Sequence, residues 1–347
     1  MSVVDGLKIS RREIPASSIR SLTWHGDTLV DWAAGGTRFQ LDGKVEKSNF
    51  YFPFPFDAAC ATSDGKYSIV YQRFGTKALL MRDSKLIREL NRSYYHATAY
   101  EYPVCIWRAG DGRTLIAHCP EEYCRIEIED ADTGLRLTPN DSRRPADFFH
   151  SRLAVNSDGT RLLSAGWFWH PWSAVIYYDI REALRDPIHL DSVKNSAPGS
   201  RNVGLAEEGS ACWQTAERVL LGGTCEEDAP PDPEDDKEVG EPRLHARGIA
   251  LYDVVARRYI KSLVLDQVPG TLMPIGEGHV VCCYDHPRLV SLESGDVIAR
   301  WDDLKTGNQV CSIVQNGQMP PIAVDVANRR FAVHNSEKIT VIQIDPS

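Results

Sequence analysis

The chain has no surplus of positive charge: 39 Lys and Arg stand against 48 Asp and Glu, a formal net charge of −9. A nucleic-acid-binding surface needs a basic face to neutralise phosphates and release counterions, so direct nucleic-acid binding is not expected. No apolar run approaches the roughly 20 residues that span a bilayer, and no membrane contact is expected. The first residues, Met1-Ser2-Val3-Val4-Asp5-Gly6, lack the basic-then-apolar order of a secretory leader, which makes the cytoplasm the expected location. The nine cysteines are odd in number and scattered, with Cys282 and Cys283 adjacent. They make no disulfide framework and read as small buried apolar side chains in a reducing compartment.

The usual signatures of catalysis are missing as well. There is no phosphate-cradling Gly-rich loop and no nucleophile elbow, and the Ser-Asp-Gly turns do not match the repeated aspartate boxes of sialidases. His150, His170 and Asp285-His286 fall in expected loops, where a general base would be useful, but no nucleophile or paired carboxylate can be set beside them. No catalytic residue is therefore assigned. Metal binding has one local candidate, His118-Cys119-Pro120-Glu121-Glu122-Tyr123-Cys124. A closed zinc site wants four ligands and no second pair sits at the usual spacing, so a structural cysteine pair is expected, with no metal and no cofactor.

What the chain does have is a repeat. Seven times a turn is followed by alternating apolar residues, an acidic or turn residue and a second apolar run. Aligned on one strand, the copies are Thr37 to Asp42, Lys77 to Arg82, Arg125 to Asp130, Ala174 to Asp179, Gly248 to Asp253, Arg288 to Glu293 and Lys338 to Gln343. A period of roughly 40 to 50 residues with four short strands per unit is what the blades of a β-propeller require. The expected fold is all-β: one domain over residues 1–347, a seven-bladed propeller of four-stranded antiparallel blades. Asp64-Gly65 and Asp158-Gly159 mark tight turns between the first two strands of their blades, because Gly accepts positive φ and Asp bonds its own backbone. Asp111-Gly112 fills the same slot in the third copy.

The wording of two stretches carries a family resemblance. Leu153-Ala154-Val155-Asn156-Ser157-Asp158-Gly159-Thr160-Arg161-Leu162-Leu163-Ser164-Ala165-Gly166 resembles a blade of the WD-repeat and related bacterial propellers, as does Ile128 to Leu137. The blades lack the Gly-His start and Trp-Asp end of that family, the one Trp301-Asp302 falling at an outer-strand position. After Lys338 to Gln343 no residues remain for an outer strand, whereas Leu7 to Ile14 alternates with no inner strand before it. That segment is expected to close the ring by pairing with the C-terminal strands, as in related propellers. Asp179 to Arg185 has too few β-formers for a strand and reads as a turn or two of helix before Pro187.

In a propeller, the hairpins between second and third strands share one face with the links from each outer strand to the next inner one. On that face fall Phe50 to Phe56, the group Tyr94, Tyr95, His96, Tyr100 and Tyr102, then Phe148-Phe149-His150, and the hairpin Trp167-Phe168-Trp169-His170-Pro171-Trp172. These segments hold 15 of the chain's 31 aromatic residues. The run from Phe50 to Phe56 is expected to pack between blades, and the Trp-rich hairpin to be exposed. The fifth-blade hairpin carries an acidic insertion, 226–241, with nine acids against Lys237 alone. Its composition is that of a solvated loop or of a site for a basic partner.

The expected function is non-catalytic: a protein-interaction module or scaffold subunit that docks another protein, one with a basic surface. The contact residues expected are Trp167, Phe168, Trp169, His170, Trp172, Tyr94, Tyr95, Phe149 and His150, together with Asp232, Glu234, Asp235 and Asp236 of the acidic loop. The alternative is an enzyme or small-ligand receptor at the mouth of the central channel, using His150, His170 and His286. The two differ in what they require: a broad, partly apolar patch for the first, convergent ionisable groups in a concave pocket for the second.

Overall fold

Along the strand Tyr67–Tyr71 every residue is buried, and Arg161–Phe168 is buried from Leu162 to Trp167. A strand buried without alternation has both pleat faces packed, so each sheet lies between two others. The computed structural model describes residues 2–4, 6–169, 172–193, 210–224, 244–308 and 319–346. These form seven antiparallel sheets, the seven blades of a propeller. The blades begin at the strands Thr23–His25, Ala58–Ala61, Val104–Arg108, Phe148–Val155, Ala211–Trp213, Thr271–Ile275 and Ile322–Asp325. From blade 7 round to blade 6, each of these first strands lies against the next and lines the channel. All seven repeat copies are the third strands of their blades.

Blades 3 and 4 depart from the four-stranded pattern. Each has three regular strands. In blade 3 the place of the fourth is taken by residues 135–138, which bond back through Leu137 N–H to the Ile128 carbonyl (2.8 Å) and through a bridge between Arg136 and Glu129. In blade 4 it is taken by the helix Ile180–Arg185, capped by the Asp179 carboxylate on Glu182 N–H, and by the 3-10 turn Pro187–Leu190.

Seven apolar clusters fill the gaps, one between each pair of neighbouring blades. The division follows the pleat. In Arg218–Gly222, Val219 and Leu221 face blade 4 while Leu220 faces blade 6. In Lys338–Pro346, Ile339 and Val341 face blade 1 while Ile342 and Ile344 face blade 6.

The last blade is completed by the start of the chain. Leu7–Pro15 pairs antiparallel with Lys338–Pro346 in unbroken register, from Leu7 opposite Pro346 to Pro15 opposite Lys338. Ser2–Val4 folds back on it as a fifth strand. Ile14, with no exposed surface, packs among Leu22, Leu29, Phe39 and Ile339. Ile14→Ala is expected to cost about 2–5 kcal/mol, read as a lowered melting midpoint. Deleting residues 1–15 is expected to leave Lys338–Pro346 as a bare edge and to cause aggregation in size-exclusion chromatography. A truncated chain that stayed monomeric with an unchanged midpoint would show that this strand does not close the ring.

Candidate functional site

Antiparallel blades put the hairpins between second and third strands, and the links between blades, on a single face. On that face, four rings from three blades stack in a column. Trp167 lies on Phe149 at 3.9 Å with 3° between planes; Phe149 lies on Tyr123 at 4.2 Å; Tyr123 lies on Tyr95 at 5.0 Å. The first contact follows from register, since Phe149 and Trp167 are cross-strand partners in blade 4. Gly166 makes room beside them: a Cβ there would sit 2.0 Å from the Phe149 carbonyl oxygen and 2.9 Å from the Phe148 ring.

Trp169, first residue of the hairpin, meets this column edge-on. Its ring lies 5.5 Å from Trp167, 5.2 Å from Phe149 and 5.2 Å from His96. Stacked and edge-on pairs are each worth about 0.5–1.5 kcal/mol beyond the area they bury. The column is therefore a rigid support, graded from buried to exposed. Phe149 and Trp167 are 0% and 3% exposed, while Tyr95 and Trp169 are 46% and 38% exposed.

The link between blades 2 and 3 is shaped by Arg92. This buried guanidinium donates to the carbonyls of Glu101 (3.0 Å), Tyr100 (2.9 Å) and Ala97, and lies 4.3 Å over the Tyr100 ring. Tying three carbonyls to one side chain curls residues 93–101 around it. Tyr94, 82% exposed, and Tyr95 are left pointing outward. Tyr123 is fixed from the other side by its hydroxyl, which donates to Asp147 Oδ1 at 2.6 Å.

Several expected contact residues lie elsewhere than on the surface. Phe149 and Trp167 are the floor of the column, because the strand continues through Phe168 and the alternation of the pleat turns Trp167 inward. His150 is also buried. Its Nδ1 pairs with the Ser164 hydroxyl (2.9 Å) and its Nε2 with the Cys124 carbonyl (3.2 Å), so it holds the neutral tautomer with Nε2–H donating. Burial pushes its pKa down to about 3. Phe168 is half-buried against Phe148 at 4.9 Å. Trp172 opens the third strand opposite Phe168. His170, Asp232, Glu234, Asp235 and Asp236 lie outside the described residues. The run from Phe50 divides: Phe52 and Phe56 are buried between blades 1 and 2, while Phe50 and Tyr51 are exposed.

Tyr123 and Arg92 were not among the expected site residues. Tyr123 was within reach, since its hairpin belongs to the same face; Arg92 gives no signal in a sequence of surface-like polarity. The nearby Cys119 and Cys124 are free thiols. Burial pushes Cys124 up to about 11 and Cys119 higher still, which keeps both thiols protonated at neutral pH. Among the described residues no three His, Cys, Asp or Glu gather in a metal-binding group.

No protein-family model and no curated protein matches the sequence. Solved structures of similar fold do. One is hydrazine synthase of Kuenenia stuttgartiensis, at 12% identity over 95% of this chain and 96% of that one, with a TM-score of 0.59. A second belongs to the mitotic checkpoint complex, at 11% identity over 96% of this chain and 90% of that one, TM-score 0.60. A third is the Cps50 (Swd1) β-propeller domain of Myceliophteria thermophila, at 10% identity over 97% and 99%, TM-score 0.59. At such identities the likeness is one of fold.

Two measurements separate the floor of the column from its rim. Trp167→Ala is expected to destabilise by about 3–5 kcal/mol, whereas Trp169→Ala, losing a ring already part in water, is expected to cost about 1 kcal/mol. Equal losses in denaturant melts would contradict the grading. His150 adds a pH dependence. Its folded pKa lies below the unfolded value near 6.5, so its contribution is complete above about pH 6.5 and is lost as pH falls towards 3. The slope over that window is at most about 1.4 kcal/mol per pH unit, and His150→Gln is expected to flatten it.

Proposed function

We propose that the chain is a protein-interaction module, a propeller subunit of a larger assembly, whose partner docks over Tyr94, Tyr95 and Trp169. The observation that carries this reading is the graded column: large exposed rings fixed in place by buried ones beneath. Aromatic side chains immobilised before binding lose little entropy when a partner covers them, and such rings are the usual anchors of an interface.

The acidic insertion supports a choice of partner. The strands on either side of it in sequence, Arg218–Gly222 and Gly248–Asp253, are the second and third of blade 5, the blade after that of Trp169, which supports reading it as part of the same face. Nine acids there favour a partner with a basic surface, steering approach more than adding affinity. Among the fold neighbours, one is a chain of the mitotic checkpoint complex, which supports reading this propeller as a subunit.

The test is affinity capture from the native host, with bound proteins identified and then titrated individually. The double variant Tyr95→Ala, Trp169→Ala is expected to weaken the partner by about 30-fold or more, the effect of losing about 2 kcal/mol of anchor. Phe50→Ala with Tyr51→Ala, exposed rings elsewhere on the face, is expected to leave it unchanged. Replacing Asp232, Glu234, Asp235 and Asp236 by Asn and Gln is expected to slow association at low salt and to matter little at high salt. A partner held equally by the first double variant would move the docking surface elsewhere.

A further inference from the structure

On the same face, at the mouth of the central channel, blades 7, 1 and 2 surround a cavity of about 650 Å³. That is the size of small-ligand sites, which run from about 300 to 1,000 Å³. Residues 19–22, entering blade 1, form one wall. The others come from 57–59 entering blade 2, 319–322 entering blade 7, and the hairpins around Arg73 and Asn335. His150 and His286 do not line it: His286 is turned onto the Leu304 carbonyl at 2.8 Å.

The charged side chains of the wall are Arg20, Arg73 and Asp57, with His334 beside them. Arg20 serves the fold through its main chain, its N–H donating to Asp31 Oδ2 at 2.9 Å. Its guanidinium has no carboxylate partner among the described residues and is only 5.7 Å from the Tyr51 ring. Asp57 accepts the Arg73 N–H at 2.7 Å. Burial pushes its carboxyl above its ordinary range, opposed by the Arg73 N–H and the Arg73 charge. His334 is nearly buried, with Nε2 against the Ala16 carbonyl at 3.3 Å. Phe74, Met319, Pro320 and Pro321 supply apolar surface. In a protein of net charge −9, the wall of this recess carries two arginines against one carboxylate, and of the two it is Arg20 whose guanidinium has no carboxylate partner among the described residues.

We propose that the cavity binds a small organic anion, a carboxylate or a phosphate monoester on an apolar body, with the Arg20 guanidinium meeting the charged group and Phe74, Met319 and Pro321 taking the body. Guanidinium suits both anions because its parallel N–H groups match their oxygens. The proposal stands apart from the docking surface, since none of Tyr94, Tyr95 and Trp169 lines the cavity.

Calorimetric titration with benzoate, phenyl phosphate, benzamide and inorganic phosphate tests it. At least one of the two aromatic anions is expected to bind saturably with one site per chain, and which of them is tighter identifies the charged group. Benzamide, of the same shape without charge, is expected to bind about tenfold more weakly or not at all. Arg20→Gln is expected to weaken the anion about tenfold while the melting midpoint stays within that of the exposed control Lys44→Gln. Should Arg20→Gln fail to fold, Arg20→Lys keeps the charge but loses the fork, and is expected to weaken binding by a smaller factor. The proposal is overturned if neither aromatic anion saturates, if benzamide binds as well as benzoate, or if inorganic phosphate binds as tightly as phenyl phosphate. Unchanged affinity in the Arg20 variants also overturns it.

Discussion

No blade of this molecule can bury its own apolar surface. Each sheet is apolar on both faces, so half of its hydrophobic side chains belong to the blade before it and half to the blade after. Leu220 and its neighbours Val219 and Leu221 contribute to different clusters although they adjoin in sequence. At about 25 cal/mol per Å² of apolar surface, the driving force exists only when both neighbours are present. Seven interfaces for seven blades is the condition of a closed ring. The final one, between blades 7 and 1, includes Ile14 of Leu7–Pro15, the strand laid against Lys338–Pro346.

Polar contacts decide which segment meets which along these seams. Arg330, almost fully buried, donates to Asp325 (2.8 Å) in its own blade and to Asp27 (2.7 Å) in the next, and lies 3.9 Å over the Trp24 ring. Arg143 has no exposed side-chain surface. It binds Asp191 at 2.8 Å, the Ile126 carbonyl at 2.8 Å and Glu127 at 3.3 Å. Those contacts fasten the link before blade 4 to the turn that follows its helix, where neither blade 3 nor blade 4 has a regular fourth strand. A buried cation left without its partner is costly, so such groups penalise wrong pairings more than they reward the right one.

The repeat and its closure were legible because they depend on period and parity. All seven aligned copies are third strands, the helix starts at Ile180 within the segment poor in β-formers, and the register of the closing strand brings the expected residues together. The aromatic face was legible only as composition. Whether Trp167 or Trp169 meets water depends on where the strand ends, and the strands run to Phe168 and resume at Trp172, leaving a hairpin shorter than the spacing of apolar residues implies. Arg92 was illegible for another reason: an arginine curled into its own loop reads in sequence like one in solvent. The cavity at the channel mouth was out of reach because Arg20, Asp57, Arg73 and His334 come from three blades.

Ring closure also sets an order in time. The pairing of Leu7 with Pro346 joins residues about as far apart as the chain allows, and contacts of such separation form late because the loop they close carries the largest entropy cost. During synthesis this strand must wait until blade 7 follows it before it can pair with Lys338–Pro346, with the apolar flanks of blades 1 and 6 open to water meanwhile. Residues of the closing strand are themselves adapted to that interval. In Leu7–Pro15 the run Ser10-Arg11-Arg12-Glu13 separates Ile9 from Ile14 with three charged side chains. Charge within an unpaired strand discourages pairing with another copy of the chain, and the same residues lie on the outer side of the finished blade.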